Sequence, residues 1–318
     1  MSVVTHEKEV ENEMKLEMLI KRASEEDNHT VAVAAAEDSE VIDAVTQAIE
    51  RNLANFLLFG DKEIILELLE EQGTQFINHK KIKIVHTKSK IAAAEHAVRS
   101  VKLNEANVLM KGNIPTAVIL KAVLNKEYGL RTGNVLSHVA VFEIPGFDEF
   151  KIITDAAMNI APDLQQKAQI ISNSVTIAKS IGIERPKVAP IAAVEEVNPS
   201  MQATLDAASL TIMNKRGQIK DCVIDGPLAL DNAVSKLAAD HKKISSEVAG
   251  QADILLVPTI EVGNTLYKSL IYFADAKVGA VIAGAKVPIV LTSRADTAES
   301  KLYSLALAIC SVQNNHVY

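Results

Sequence analysis

Residues 30–60 read TVAVAAAEDSEVIDAVTQAIERNLANFLLFG. The run at 30–36 is apolar at nearly every position, as in a strand buried on both faces. In the segment that follows, Val41, Ile42, Val45, Ala48 and Ile49 recur at helical spacing, with Ser39 placed to cap the helix. Residues 55–59 form the next apolar run, which passes through Gly60 into a second helix capped by Asp61, with Ile64, Ile65, Leu68 and Leu69 turned inward. A run at 81–85, a helix from Ser89 and a run at 107–110 continue the alternation. Strands separated by helices of this length require crossover connections, and crossovers make a parallel sheet. The chain is therefore expected to be an α/β protein.

The alternation persists beyond residue 110. Pro115 suits the start of a helix carrying Val118, Ile119, Ala122 and Val123, because its missing N–H costs nothing there. The glycine-rich stretch YGLRTGN at 128–134 leads to a strand at 137–142 and another at 151–155. A helix opened by Pro162 and ended near Gly182, strands at 187–194, 218–224 and 253–257, and helices at 199–214 and 230–241 complete this part.

The chain has 318 residues, more than the roughly 250 beyond which single cores tend to split, so two domains are expected. Hydrophobic residues make up 48% of it while aromatics are 4% and Trp is absent, which leaves Ala, Val, Ile and Leu to build the core. A net charge of -7 argues against a nucleic-acid surface. The lysines at 80, 81, 83, 88 and 90 read as the protection of an edge strand. The cysteines are Cys222 and Cys310, too few for a disulfide framework and without C-x-x-C spacing; both read as small buried residues in a reducing compartment. The N-terminus mixes charges with apolar residues and reads as neither signal peptide nor membrane anchor, and no apolar run approaches the roughly 18 residues that span a bilayer. A soluble, cytoplasmic protein with no membrane partner is expected.

Chemistry concentrates at residues 258–296, PTIEVGNTLYKSLIYFADAKVGAVIAGAKVPIVLTSRAD. Gly263-Asn264-Thr265-Leu266-Tyr267-Lys268 and Thr292-Ser293-Arg294-Ala295-Asp296 each follow an apolar run, and each reads as the opening of a helix. Amides at a helix N-terminus, with a cation nearby, favour an anionic ligand such as phosphate. The glycines at 279 and 284 miss the P-loop pattern, since Val287 and Pro288 stand where a hydroxyl and a helix start are needed. No H-E-x-x-H or paired histidine spacing marks a metal site, and His138, inside an apolar run, reads as a core histidine.

The combination GN-x-x-YK, G-x-x-x-x-G and SR-x-D resembles the phosphate acetyl/butyryl transferase family. The KG-x-x-x-T run at 111–116 and DGPLALDNA at 225–233 resemble its butyryl branch. The resemblance covers nearly the whole chain. It implies two α/β domains with parallel or mixed sheets flanked by helices, an architecture shared with isocitrate and isopropylmalate dehydrogenases, and an active site in the cleft between them. The first domain would be discontinuous, residues 1–135 with 288–318, and the second would be 136–287. The implied reaction is acyl-CoA plus phosphate giving acyl phosphate plus CoA, with butyryl favoured, by direct attack in a ternary complex. Coenzyme A enters as a substrate, no tightly bound cofactor or metal is needed, and a homo-oligomer, a dimer or higher, is expected. The alternatives are a phosphate acetyltransferase, a metal-dependent decarboxylating dehydrogenase of the same fold, and a non-catalytic acyl-CoA sensor.

Acyl transfer from a thioester to phosphate requires two anions held together, a thiolate and stabilisation of a tetrahedral oxygen. Arg294 suits phosphate or the oxyanion through its forked donors. Ser293 suits a hydrogen bond to the coenzyme sulfur or to phosphate. Asp296 reads two ways, as a base for the thiol or as the N-cap of a capping box with Glu299, and the resemblance leaves Glu299 as the alternative base, since the family's aspartate falls a few residues after the Ser-Arg pair. Gly263, Asn264, Tyr267 and Lys268 are candidates for binding substrate, as are Lys111, Gly112 and Arg131, where loop cations can meet the coenzyme's phosphates.

Overall fold

The computed structural model describes residues 14–25, 29–291 and 297–312. The first part runs α1 (Leu16–Ser24), β1 (Thr30–Ala34), α2 (Ser39–Glu50), β2 (Asn55–Gly60), α3 (Lys62–Gln72), β3 (Ile82–His86), α4 (Lys90–Lys102), β4 (Val108–Lys111) and α5 (Thr116–Val123). The helix starts follow local chemistry. Asp61 accepts hydrogen bonds from the amides of Glu63 and Ile64, and Ser89 from that of Ala92. Asp38 rather than Ser39 caps α2, accepting from the Val41 amide.

The chain continues with β5 (Ser137–Glu143), β6 (Lys151–Thr154), α6 (Leu164–Ser180), β7 (Lys187–Pro190), α7 (Gln202–Lys215), β8 (Val223–Ile224), α8 (Leu230–Val234) and α9 (Lys236–His241). Last come β9 (Ile254–Leu256), α10 (Ile260–Ala274), β10 (Lys277–Ala283), β11 (Ile289–Val290) and α11 (Ala298–Val312). Three expectations shift here. Asp163, not Pro162, opens α6, in a reciprocal capping box with Gln166. The single helix expected at 230–241 is broken at Ser235, whose extended backbone ends α8 and whose hydroxyl caps α9 through the Ala238 amide. The strand expected at 218–224 shrinks to two residues, because Asn214 donates to the carbonyls of Ile219 and Cys222 and folds that segment into a loop.

The strands form one 11-stranded sheet in the order β3-β2-β1-β4-β11-β10-β5-β6-β9-β7-β8. β3, β2, β1, β4 and β11 are mutually parallel, as are β6, β9, β7 and β8. Between these blocks β10 and β5 pair antiparallel with each other, and each pairs antiparallel with its outer neighbour. The sheet is therefore mixed, and it reverses direction at its centre.

Successive side chains of a strand face opposite ways, and here the two faces are packed differently. One face carries a continuous apolar core that takes in Val33, Leu58, Met110, Val141, Val281, Ile152 and Ile254 together with residues of α1, α2, α3, α6, α7 and α11. α11 is buried from Lys301 to Val312 and crosses the middle of this face. A buried pair, Lys167 Nζ to Asp206 Oδ2 at 2.6 Å, pins α6 to α7, with Gln202 donating to the other carboxylate oxygen.

The opposite face carries two separate apolar clusters. Ala32, Ala34, Leu109, Ile289 and Ile282 pack under α4 and α5. Ala140, Phe142, Ile153, Leu255 and Ala189 pack with α8, α9 and α10. The boundary falls at β10 and β5, where Ile282 pairs with His138 and the next pair on that face is Ala280 with Ala140.

Candidate active site

A cavity of about 540 Å³ lies where the two clusters part. Lys111, at the end of β4, and Ile114, Pro115 and Thr116, at the start of α5, line one side. His138 and Ile282, cross-strand partners, also line it, together with Ala156, Ala157 and Met158 from the turn after β6. α10 contributes Asn264, Tyr267 and Lys268, and Leu291 after β11 completes the lining.

The spacing i, i+3, i+4 places Asn264, Tyr267 and Lys268 on one helical face. They are not at a helix opening: α10 begins at Ile260 after the N-cap Thr259, and the Gly263 amide donates to the Thr259 carbonyl. The anion-binding group offered by this segment is thus the Lys268 side chain rather than the amides of 263 and 264. Gly263 allows a close approach instead. A Cβ built on it would stand 2.7 Å from the Asp155 carbonyl oxygen and 2.9 Å from Ala156 Cα, so glycine lets α10 lie against the turn after β6. Asn264 Nδ2 then reaches the Ala156 carbonyl at 3.5 Å.

Gly112 has the same kind of role on the other side. A Cβ there would meet the Ala35 carbonyl oxygen at 2.0 Å, and its amide donates to the Ala34 carbonyl, so neither glycine turns an amide toward the cavity. Lys111 is 7% exposed and donates from Nζ to the Gly112 carbonyl at 3.2 Å. Arg131 is exposed, bridges to Ala285 through its backbone, and does not line this cavity.

The described lining residues include two lysines and no carboxylate, which favours an anionic guest. The nearby Asp155 is 2% exposed and fully engaged: Oδ1 accepts from the amides of Ala157 and Met158, each at 2.9 Å, and Oδ2 accepts from Asn159 Nδ2 at 2.6 Å. It shapes the turn. Tyr267 meets His138 edge to face at 5.8 Å between ring centres and Phe142 at 5.3 Å. His138 is therefore part of the cavity wall and not only a core histidine. The sign of this in the sequence is an imidazole beside the apolar run 139–142 of β5.

Ser293, Arg294 and Asp296 lie outside the described residues, in the segment that follows Leu291. The chain resumes at Thr297, which supplies the cap of α11 by accepting from the Ser300 amide at 3.2 Å. Glu299 is committed elsewhere: Oε1 accepts from Tyr303 Oη at 2.7 Å and from Lys277 Nζ at 3.1 Å. These bonds hold its carboxyl below the usual range, while burial and the Glu299 contact push Tyr303 up to about 12. Neither cysteine is in the cavity lining, and burial together with Asp221 pushes Cys222 up to about 11, where thiolate is scarce at neutral pH. Among the described residues, no three His, Cys, Asp or Glu side chains gather as a metal site.

The chain belongs to the phosphate acetyl/butaryl transferase family, whose model matches residues 67–309. It is 60% identical over 299 residues to a probable phosphate butyryltransferase of Bacillus subtilis (strain 168), across 94% of this chain and 98% of that one. It is also 47% identical over 278 residues to a phosphate acetyltransferase of Thermotoga maritima, across 87% and 93% respectively. The crystal structure of a branched-chain phosphotransacylase from Enterococcus faecalis V583 superposes with a TM-score of 0.78 at 38% identity, covering 89% of this chain and 99% of that one. The chain is accordingly an acyltransferase, and the dehydrogenase and sensor alternatives fall away.

The close approach at Gly263 has a measurable consequence. Gly263→Ala should lose about 1–3 kcal/mol of stability in urea melts, because the added methyl must push α10 off the turn after β6. An unchanged melt would mean that α10 does not depend on that contact.

Proposed function

We propose that this chain exchanges an acyl group between coenzyme A and phosphate, with butyryl preferred: butyryl-CoA plus phosphate gives butyryl phosphate plus CoA. The observation that carries this reading is the two-sided cavity. Lys268 and Lys111 offer charge for phosphate, Ile114, Met158, Ile282 and Leu291 offer an apolar wall for an acyl chain, and Leu291 leads straight into Thr292-Ser293-Arg294-Ala295-Asp296.

In the forward direction a phosphate oxygen attacks the thioester carbonyl carbon, and the carbonyl oxygen takes up the negative charge. Arg294 stabilises that oxyanion or the phosphate beside it, since a bidentate guanidinium suits either. The carbon–sulfur bond then breaks, and the CoA thiolate leaves while accepting a hydrogen bond from Ser293. Asp296 handles the proton: forward, it takes it from the attacking hydrogen phosphate and delivers it to the departing sulfur, and in the reverse direction it removes it from the thiol before attack and returns it to phosphate. Gly263, Asn264, Tyr267, Lys268, Lys111 and Gly112 shape or charge the binding surface, and Arg131 meets the coenzyme away from the reacting centre. No tightly bound cofactor is required.

The same reading divides the chain into a discontinuous domain, 1–135 with 288–318, and a second domain, 136–287. It is supported by the reversal of the sheet near that division and by the position of β11 beside β4. It also takes the enzyme to be a cytoplasmic homo-oligomer. The net charge of -7 supports that setting, as do thiols without disulfide spacing and the absence, among the described residues, of any helix long and apolar enough to cross a membrane.

Relatives carry both butyryl and acetyl names, at 60% and 47% identity respectively, so rates must decide between them. Two further buried methylenes are worth about 1.6 kcal/mol, or roughly fifteenfold in kcat/KM for butyryl-CoA over acetyl-CoA. Equal or better values for acetyl-CoA would move the assignment to the acetyl branch.

Asparagine caps a helix about as well as aspartate but moves no proton, so Asp296→Asn tests the base alone. Asp296→Asn should keep the wild-type melting temperature and lose about a hundredfold or more of turnover, as expected for a group that moves a proton. Full activity in the Asn variant would remove Asp296 from the chemistry.

A further inference from the structure

The turn after β6 is the least adjustable part of the cavity. Asp155 holds the amides of Ala157 and Met158 and the side chain of Asn159, which also donates to the Leu136 carbonyl at 2.8 Å. Behind it, α10 presses in at Gly263. The turn nevertheless serves both halves of the sheet's divided face. Ala156 belongs to the cluster under α8, α9 and α10, whereas the Met158 side chain packs against the other cluster, the one under α4 and α5. Met158 therefore crosses the gap in which the cavity lies.

Ile114 and Ile282 are members of the α4/α5 cluster and Leu291 packs against it, while Asn264, Tyr267 and Lys268 face the cavity from α10. An acyl chain gains most on the first side, and phosphate on the second. We propose that Met158 is the end wall of the acyl pocket and sets the longest chain the enzyme accepts; the proposal rests on the transfer reaction argued above. Because the backbone at 155–158 is fixed, the depth of the pocket depends on the side chain at 158. Methionine is unbranched and adaptable, so the limit it sets is a graded one.

The test compares kcat/KM for acetyl-, butyryl- and hexanoyl-CoA at saturating phosphate in the wild type, Met158→Ala and Met158→Phe. Ratios between thioesters are internal to each variant, so a general loss of stability or active fraction cancels from them. Met158→Ala should raise the hexanoyl-to-butyryl ratio about tenfold, and Met158→Phe should lower the butyryl-to-acetyl ratio by about as much, the scale expected for one or two methylenes. Met158→Val should move the ratio in the same direction as Ala, and it replaces the Ala variant if that one does not fold. An active wild type whose ratios persist within about twofold in the variants overturns the role of Met158 alone. A wild type that transfers none of the three acyl groups to phosphate overturns the reaction, and the proposal with it.

Discussion

The divided apolar packing on one face of the sheet is the constraint from which the site follows. A parallel sheet must be covered on both faces, and α/β proteins ordinarily achieve this with helices along each side. Here α11 and its neighbours cover one face without a break, while the helices of the other face gather in two groups. The groups part at β10 and β5, the antiparallel strands at which the two parallel blocks meet. The gap lies over the strands at which the direction reverses, with a continuous core behind it as a stiff backing.

What fills the gap is consistent with a site for two anions and an apolar chain. Lys111 brings charge to the cavity wall from the end of β4, and Lys268 adds charge from the exposed surface of α10. The buried carboxylate of Asp155, beside the cavity, accepts from three hydrogen-bond donors and holds a turn. Rigid elements therefore position both walls, the turn after β6 through Asp155 and α10 through Gly263. Preorganisation of this kind matters in acyl transfer, where much of the barrier is the cost of bringing two charged reactants together in the right orientation.

Much of the fold is legible in the amino-acid sequence, because uninterrupted apolar runs such as 55–60 and caps such as Asp61 and Ser89 are local signals. What fails is what depends on partners. The run at 187–194 stops pairing at Pro190, beyond which Ile191 makes only an isolated bridge to Leu228. Ser235 divides a helix that reads as continuous, and α1 goes unread because its charged sequence hides Leu16, Leu19, Ile20 and Ala23, which are buried against the core. In the site, Lys111, Asn264, Tyr267 and Lys268 are readable as candidates from motif spacing and do converge. Gly112 and Gly263 are readable as important but not for the right reason: their worth lies in the backbone that approaches them, which only the tertiary structure reveals. His138 shows only as an imidazole in an apolar run, and Met158 carries no local signal at all; both are ordinary members of a strand and a turn until the two clusters are seen to separate around them.

The central claim is that this gap joins a thioester to phosphate, and the most direct measurement is thiol release from butyryl-CoA with and without phosphate, with the acyl phosphate trapped by hydroxylamine. The account predicts that thiol release requires phosphate, saturates with it and matches the trapped acyl phosphate mole for mole. Equal thiol release in the absence of phosphate, with nothing to trap, would show hydrolysis instead and would contradict the account.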